Sequence, residues 1–274
     1  MRDDTGDTQA AGGRIRPLLA RLLARLRGGA GPRLRKPYVR RHEGFTSLQF
    51  VRRQTQSRMV TGDPDRLLVP YTRTMLATLL WQPAPRVLGM VGLGGGSQAK
   101  FCHRNLPGTR VEIVENNPHV IALRGAFGVP DDDARLQVVL DDGAAFVGRQ
   151  PGRFDVLLVD GYDERGIPEA LSTQAFYDAC HDALRDDGVL ACNLYVRNPE
   201  AHVARLRRAF GDARVLVVDE PKMSNRVAFA WRGDLPPRDE AAWVARVPED
   251  LRRLLPEVFP RVAARLARAA SGPR

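Results

Sequence analysis

Arg86-Val-Leu-Gly-Met-Val-Gly-Leu-Gly-Gly-Gly-Ser-Gln-Ala-Lys-Phe101 is the stretch on which the fold turns. Val87–Val91 is an apolar run of strand length that breaks into Gly92, Gly94, Gly95 and Gly96, and a helix is expected from near Ser97. Glycine permits φ > 0 and lets a ligand approach the backbone where a Cβ would collide. A strand, a glycine loop and a helix in that order open most nucleotide-binding α/β domains. Ser97 occupies the place of the third glycine in the G-x-G-x-x-G fingerprint. The loop therefore points to an adenosine-type ligand without meeting the dinucleotide pattern, and a ligand-free tight turn is the alternative.

Downstream of this unit, strand and helix patterns alternate. Strands are expected at Val111–Glu115, Leu136–Leu140, Phe154–Val159, Val189–Leu194, Arg214–Val218 and Arg226–Trp231. Helices are expected at Pro118–Phe127, Asp142–Arg149, Thr173–Leu184, with a stop at Asp186-Asp187-Gly188, and Pro199–Phe210. Such a succession implies a mostly parallel sheet covered on both faces, and the last two strands, joined by a short loop, pair antiparallel. The expected fold is α/β, and a seven-stranded sheet with an antiparallel edge hairpin resembles the Rossmann-like methyltransferase fold. Upstream, Leu67–Trp81 reads as a helix ended by Pro83 and Pro85, and Phe45–Val51 with Gln54–Thr61 reads as a small β-hairpin. The expected organisation is a basic, disordered tail over 1–36, a β-hairpin element over 37–66, a catalytic domain over 67–235 and a helical extension over 236–274. That extension holds amphipathic stretches at Ala241–Val247 and Val258–Ala270.

The chain has 274 residues, a formal charge of +10 and a pI near 10.3. A basic balance invites a nucleic-acid reading. Arginine is abundant throughout, however, and no nucleic-acid motif accompanies it, so the charge reads as solvated surface. Arg14–Arg27 places leucines and arginines at helical spacing, suited to an anionic membrane surface or an acidic partner, with a frayed basic tail as the plainer reading. No apolar run reaches the roughly 18 residues of a membrane span, and no secretory signal is present. Cys102, Cys180 and Cys192 lie far apart in apolar surroundings, and the five histidines are scattered. No disulfide framework or metal site is expected, and the pattern suits a reducing cytoplasm.

In open α/β sheets the ligand lies beyond the carboxyl ends of the strands. Glu115 ends the second core strand, where a carboxylate can accept ribose hydroxyls. Asp142 follows the third strand and either holds a base amino group or N-caps its helix. Asp160 closes a strongly apolar strand, which argues for catalysis or cation binding over a loop ion pair, and Asp163 follows three residues on.

Taken together, Gly94-Gly-Gly-Ser97, Glu115-Asn-Asn-Pro-His-Val-Ile, Asp142-Gly143, Phe154-Asp-Val-Leu-Leu-Val-Asp160-Gly-Tyr-Asp163, Gly166-Ile-Pro-Glu-Ala-Leu and Phe176-Tyr177 resemble the spermidine synthases and related polyamine aminopropyltransferases. The resemblance spans about residues 45 to 232. It implies that Gly94, Gly95, Glu115, Asp142 and Gly143 hold decarboxylated S-adenosylmethionine and that Asp160 and Asp163 hold and deprotonate the amine. Gly92, Gly96, Ser97 and Asn117 complete the candidate cofactor set, and Gln56, Tyr71 and Tyr162 are the candidate substrate contacts. It also implies a polyamine substrate and a homodimer. Three positions depart from the family: Ser97-Gln98 replaces a Gly-Asp-Gly continuation, Pro70-Tyr71-Thr72-Arg73-Thr74 replaces an acidic and aromatic gate, and Asp160-Gly-Tyr-Asp163-Glu replaces Asp-Ser-Ser-Asp-Pro. Losing the loop carboxylate also removes a barrier to the carboxyl group of ordinary S-adenosylmethionine. Aminopropyl transfer is the expected function, with S-adenosylmethionine-dependent methyl transfer and a non-catalytic nucleoside-binding scaffold as alternatives.

Overall fold

A computed structural model describes residues 34–51, 54–221, 223–234 and 239–270. The chain divides into two units, Met1–Arg35 and Lys36–Arg274. Only Leu34 and Arg35 of the first are described, so the tail expected over 1–36, with its Arg14–Arg27 stretch, lies almost wholly outside the described residues.

Three antiparallel strands open the second unit: β1 (Tyr38–His42), β2 (Phe45–Val51) and β3 (Gln54–Val60), in the order β1-β2-β3. The sequence pattern shows only the latter two. β1 reads Tyr-Val-Arg-Arg-His and is almost wholly exposed, so no apolar alternation marks it. The two-residue loop Glu43-Gly44 forces it back onto β2, with φ of 49° and 76°, as a type I′ hairpin requires. The expected helix over Leu67–Trp81 is shorter and broken: α1 covers Pro70–Met75, and Leu76–Leu80 continues as a 3₁₀ turn.

The core is a seven-stranded sheet built from β4 (Val87–Val91), β5 (Arg110–Glu115), β6 (Leu136–Leu140), β7 (Phe154–Val159), β8 (Leu184–Leu194), β9 (Val215–Asp219) and β10 (Arg226–Trp231), in the order β6-β5-β4-β7-β8-β10-β9. β4 to β8 run parallel, and β10 is antiparallel to both β8 and β9. The connecting helices are α2 (Ser97–Asn105), α3 (Pro118–Ala122), α4 (Gly143–Gly148), α5 (Gln174–Ala183) and α6 (Pro199–Phe210). Because both faces of the inner strands are covered, the alternating side chains of β4, β5 and β7 are mainly apolar on either side, Glu112 and Asp155 excepted. Leu88, Met90, Val156 and Leu158 face a layer with α1 and α2, while Val91, Leu157 and Val159 face one with α4, α5 and α6. The Asp186-Asp187-Gly188 stop is a bulge within β8, which pairs Leu184 with Phe154 and then Val189 with Val156.

Three helices end the described chain: α7 (Glu240–Ala245), α8 (Glu249–Leu254) and α9 (Val258–Ala270). The six-residue α8 lacks the length for a periodic signal. Trp243, Phe259, Val262 and Ala263 are buried in the same core as β10. Trp81 gathers the large aromatics there, with Phe229, Trp231 and Trp243 at centroid distances of 5.4, 5.3 and 5.2 Å. Among the described residues no helix is long and apolar enough to cross a membrane.

Candidate active site

The strand order changes direction at β4, which has β5 on one side and β7 on the other, so the crevice above their carboxyl ends is the ligand position in this architecture. Gly92 leaves β4 with φ 97°, and a Cβ there would lie 2.4 Å from the Asp160 carbonyl oxygen. Only glycine allows β4 and β7 to end side by side at this point. From the small sheet, β3 covers the loop, and a Cβ on Gly95 would meet the Ser57 hydroxyl at 2.5 Å. Gly96 is the left-handed residue before α2, and Ser97 is the first residue of that helix, half-buried.

Glu115, at the end of β5, is buried. Its Oε2 accepts from the Leu93 amide at 3.0 Å and its Oε1 from the Asn117 amide at 2.9 Å. Burial raises its pKa, and amide hydrogen bonds from Leu93, Asn117, Gly94 and Asn116 pull it back. One carboxylate thus fixes the shape of the glycine loop. Asn117 caps α3, its side-chain oxygen accepting from the His119 amide at 3.0 Å. Asp142 caps α4 through the Ala145 amide at 2.9 Å. The Gly143 beside it is buried, and a Cβ would lie 2.7 Å from Val91 Cγ1.

Asp160 ends β7, its amide donating to the Val91 carbonyl at 2.9 Å. Its two oxygens have separate donors. Asn193 Nδ2 on β8 donates to Oδ1 at 2.8 Å, and the Tyr71 hydroxyl on α1 donates to Oδ2 at 3.1 Å. Asn225 Nδ2 donates in turn to Asn193 Oδ1 at 2.9 Å. Burial raises the Asp160 pKa, and the bonds from Asn193 and Tyr71 offset part of that rise. The Tyr71 phenol is also pushed well up, first by burial and then by the Asp160 charge. The result is a recessed, basic carboxylate held in one orientation.

Asp163 is placed differently. Its Oδ1 accepts from the Arg165 and Gly166 amides at 2.7 and 3.0 Å, closing its own turn. The carbonyl of Asp163 accepts from Gln56 Nε2 at 3.3 Å, which ties β3 to the loop after β7. The Tyr162 hydroxyl donates to the Asn193 carbonyl at 2.8 Å and accepts from the Tyr195 amide at 2.7 Å, so its ring is what remains to face a ligand. Gln98 turns inward, Nε2 donating to the Thr72 carbonyl at 3.2 Å. Arg73 is half-buried on the helix that carries Tyr71.

Asn193 and Asn225 have no counterpart among the residues singled out from sequence. A polar residue closing the apolar run Val189–Cys192 is the signal that marks Asn193, whereas Asn225 is visible only once β10 pairs with β8. Among the described residues no cluster of three His, Cys, Asp or Glu could hold a metal ion.

Residues 109–207 match the spermine/spermidine synthase domain. A polyamine aminopropyltransferase of Chromobacterium violaceum is 34% identical over 189 residues, covering 68% of this chain and 72% of its own length. Among solved structures, a spermidine synthase in complex with the transition-state analogue AdoDATO superposes with a TM-score of 0.55 at 20% identity, covering 77% of this chain and 80% of its own. Human methyltransferase-like protein 13 in complex with SAH gives 0.59 at 21%, over 75% and 94%. The structural likenesses establish the Rossmann-like fold, which both groups share, and the sequence relatives distinguish between them. With the glycine loop, Glu115 and Asp160 at the switch point of that fold, this chain belongs to the spermine/spermidine synthase family.

Proposed function

We infer that this protein is a transferase of polyamine biosynthesis that moves the aminopropyl group of decarboxylated S-adenosylmethionine onto the nitrogen of an amine such as putrescine. The observation that carries the reading is the recessed Asp160 carboxylate, held by Tyr71 and Asn193 beside the glycine loop.

The residues present fit a nucleoside at the loop. Glu115 ends β5 beside that loop, the strand-end position at which a carboxylate accepts ribose hydroxyls in this architecture, and a ribose would share its oxygens with the Leu93, Asn117, Gly94 and Asn116 amides. Gly94 presents open backbone, since a Cβ there would meet only Ser57 Cβ, at 3.8 Å. Asp142 caps its helix through Oδ1, leaving Oδ2 for a base amino group. The bound sulfonium supplies an electrophilic carbon and a neutral thioether leaving group.

Asp160 then has two tasks. An alkylamine has a pKa near that of lysine, about 10.4, and arrives protonated. Its ammonium is drawn to the carboxylate, and Asp160 takes one proton, leaving the nitrogen lone pair free to form the new C–N bond as the C–S bond breaks towards sulfur. A base raised in pKa by burial suits that transfer better than an ordinary aspartate. The ring of Tyr162, the Gln56 side chain and the Asp163 loop bound the acceptor side. The amine is held where its lone pair is in line with the breaking bond.

The test is incubation of the purified protein with putrescine and, separately, decarboxylated and ordinary S-adenosylmethionine. Methylthioadenosine from the first mixture supports the reading. Adenosylhomocysteine from the second, with no methylthioadenosine from the first, overturns it in favour of methyl transfer.

A further inference from the structure

We propose that Arg261, on the C-terminal helix α9, is a positioning residue for Asp160, because it joins the two segments whose side chains hold the two oxygens of that carboxylate. One arm runs through α1. Arg261 Nη2 donates to Thr74 Oγ1, Thr74 lies three residues from Tyr71 on the same helix, and the Tyr71 hydroxyl donates to Asp160 Oδ2 at 3.1 Å. The other arm runs through the loop between β9 and β10. Arg261 Nη2 donates to Glu220 Oε1 at 3.2 Å, and the Glu220 amide donates to the Asn225 carbonyl at 3.0 Å. Asn225 reaches Asn193 at 2.9 Å, and Asn193 reaches Asp160 Oδ1 at 2.8 Å. The two arms and Asp160 form a closed ring.

Four members of the ring are buried, Thr74, Asn193, Glu220 and Asn225, each with at most 5% of its surface exposed. A buried carboxylate such as Glu220 needs a paired cation, and Arg261 supplies it. Both bonds leave Nη2, whose two hydrogens are fixed in the guanidinium plane while those of an ammonium rotate, so the guanidinium sets the direction of Thr74 relative to Glu220. Asn225 contributes a second constraint. By donating to Asn193 Oδ1 it determines which way the Asn193 amide faces, and so presents NH₂ rather than C=O to Asp160. Without it, a flipped amide would set oxygen against carboxylate. Alignment errors of about 1 Å cost up to about 10²-fold in rate, so a ring that holds the base has kinetic consequences.

This inference rests on Asp160 acting as the base. The variants are Arg261→Lys, which keeps the charge and loses the fixed planar donor hydrogens, and Thr74→Val, which removes one hydroxyl from α1 at constant shape. Arg265→Ala is the control, since Arg265 lies on the same helix and among the described residues donates to the Val217 carbonyl alone, at 3.4 Å. Two quantities are measured on the full chain: steady-state aminopropyl transfer with methylthioadenosine binding, and the titration of the Asp160 carboxyl by ¹³C NMR, assigned with Asp160→Asn. The groups facing Asp160 are Tyr71 from α1, Tyr162 from its own loop and Asn193 from β8, all neutral at the pH of the titration. Both variants should lower kcat by about tenfold or more while leaving methylthioadenosine affinity within about twofold. They should also move the Asp160 titration to higher pH, because the donors they loosen favour the carboxylate. Arg265→Ala should change neither. If Arg261→Lys and Thr74→Val lower only the thermal midpoint, with kcat and the Asp160 titration as in the wild type, Arg261 is a structural residue and the proposal is wrong. Should the wild type transfer no aminopropyl group, the functional reading fails by itself, and the NMR titration still decides whether the ring holds Asp160.

Discussion

Asp160→Asn separates the chemistry of this site from its architecture. The replacement keeps the size of the side chain and removes its charge. Asn193 can still donate to the remaining amide oxygen, and the new NH₂ can donate to the Tyr71 oxygen, so both neighbours keep a partner. What the proposed mechanism loses is its proton acceptor and its attraction for the incoming ammonium. A general base contributes about 10²–10⁴-fold, or about 3–5 kcal/mol at 1.36 kcal/mol per factor of ten. Transfer, followed as methylthioadenosine release by chromatography, should fall by that factor, with nucleoside affinity by calorimetry unchanged. Stability should move the other way. Burial raises the folded pKa of Asp160 above its unfolded value of about 3.9. Its stabilising contribution is therefore present below the unfolded pKa and lost as pH rises through the folded one, so the ionised group costs stability at neutral pH. Asp160→Asn should melt at or above the wild-type temperature at pH 7, and the gain should vanish near pH 4 and below. For the same reason the acid limb of kcat/KM should lie above the ordinary carboxylate range. Turnover within tenfold of the wild type would remove Asp160 from the mechanism, and a midpoint several degrees lower at pH 7 would refute the burial argument.

Glu115→Gln leaves one acceptor oxygen for the Leu93 and Asn117 amides, so a buried N–H loses its partner. We expect a loss of about 1–3 kcal/mol in stability, read by denaturant titration, together with weakened nucleoside binding. Gly92→Ala places a Cβ 2.4 Å from the Asp160 carbonyl at a positive φ. It should cost about 1–3 kcal/mol in backbone strain alone and depress transfer by displacing the end of β7, with soluble folded protein at wild-type activity as the contrary result. Lys100 is buried with its ammonium on the Pro64 and Phe127 carbonyls, at 2.5 and 2.6 Å. Lys100→Met should destabilise by about 1–3 kcal/mol through those unpaired acceptors. Burial lowers the Lys100 pKa, so this group's contribution to stability should increase as pH climbs towards its unfolded value, and a pH series of melts comparing the two proteins checks the sign.

The fold was legible because its strands are apolar runs of strand length separated by helical patterns and turn residues, and the glycine loop marks the end of the first core strand at the switch point of the sheet. What escaped had no local signature. β1 is a charged, exposed edge strand placed by its hairpin with β2, and α1 is cut short by a 3₁₀ turn that buries Leu76, Leu79 and Leu80. The site was legible to the extent that acidic residues ending strands are conspicuous: Glu115 and Asp160 stand out in any reading. Asp142, Asn117 and Tyr162 also stand out, yet each has a polar group satisfied by backbone, which only coordinates reveal. The ring around Asp160 was invisible for a topological reason. Thr74 and Arg261 are 187 positions apart, and Asn193 and Asn225 meet only because β10 lies against β8.

The tryptophan cluster has a practical corollary for anyone studying this enzyme by spectroscopy. Trp81, Trp231 and Trp243 are the three tryptophans of the chain, and Trp81 lies against the other two, tilted at 43° to Trp231 and edge-on at 65° to Trp243, where the last helices meet the sheet, away from the glycine loop. Their emission should behave as a single coupled chromophore that responds to detachment of the carboxy-terminal helices and is silent to nucleoside occupancy. A fluorescence melt would then time the departure of the segment bearing Arg261, and occupancy of the crevice would need a fluorophore introduced elsewhere.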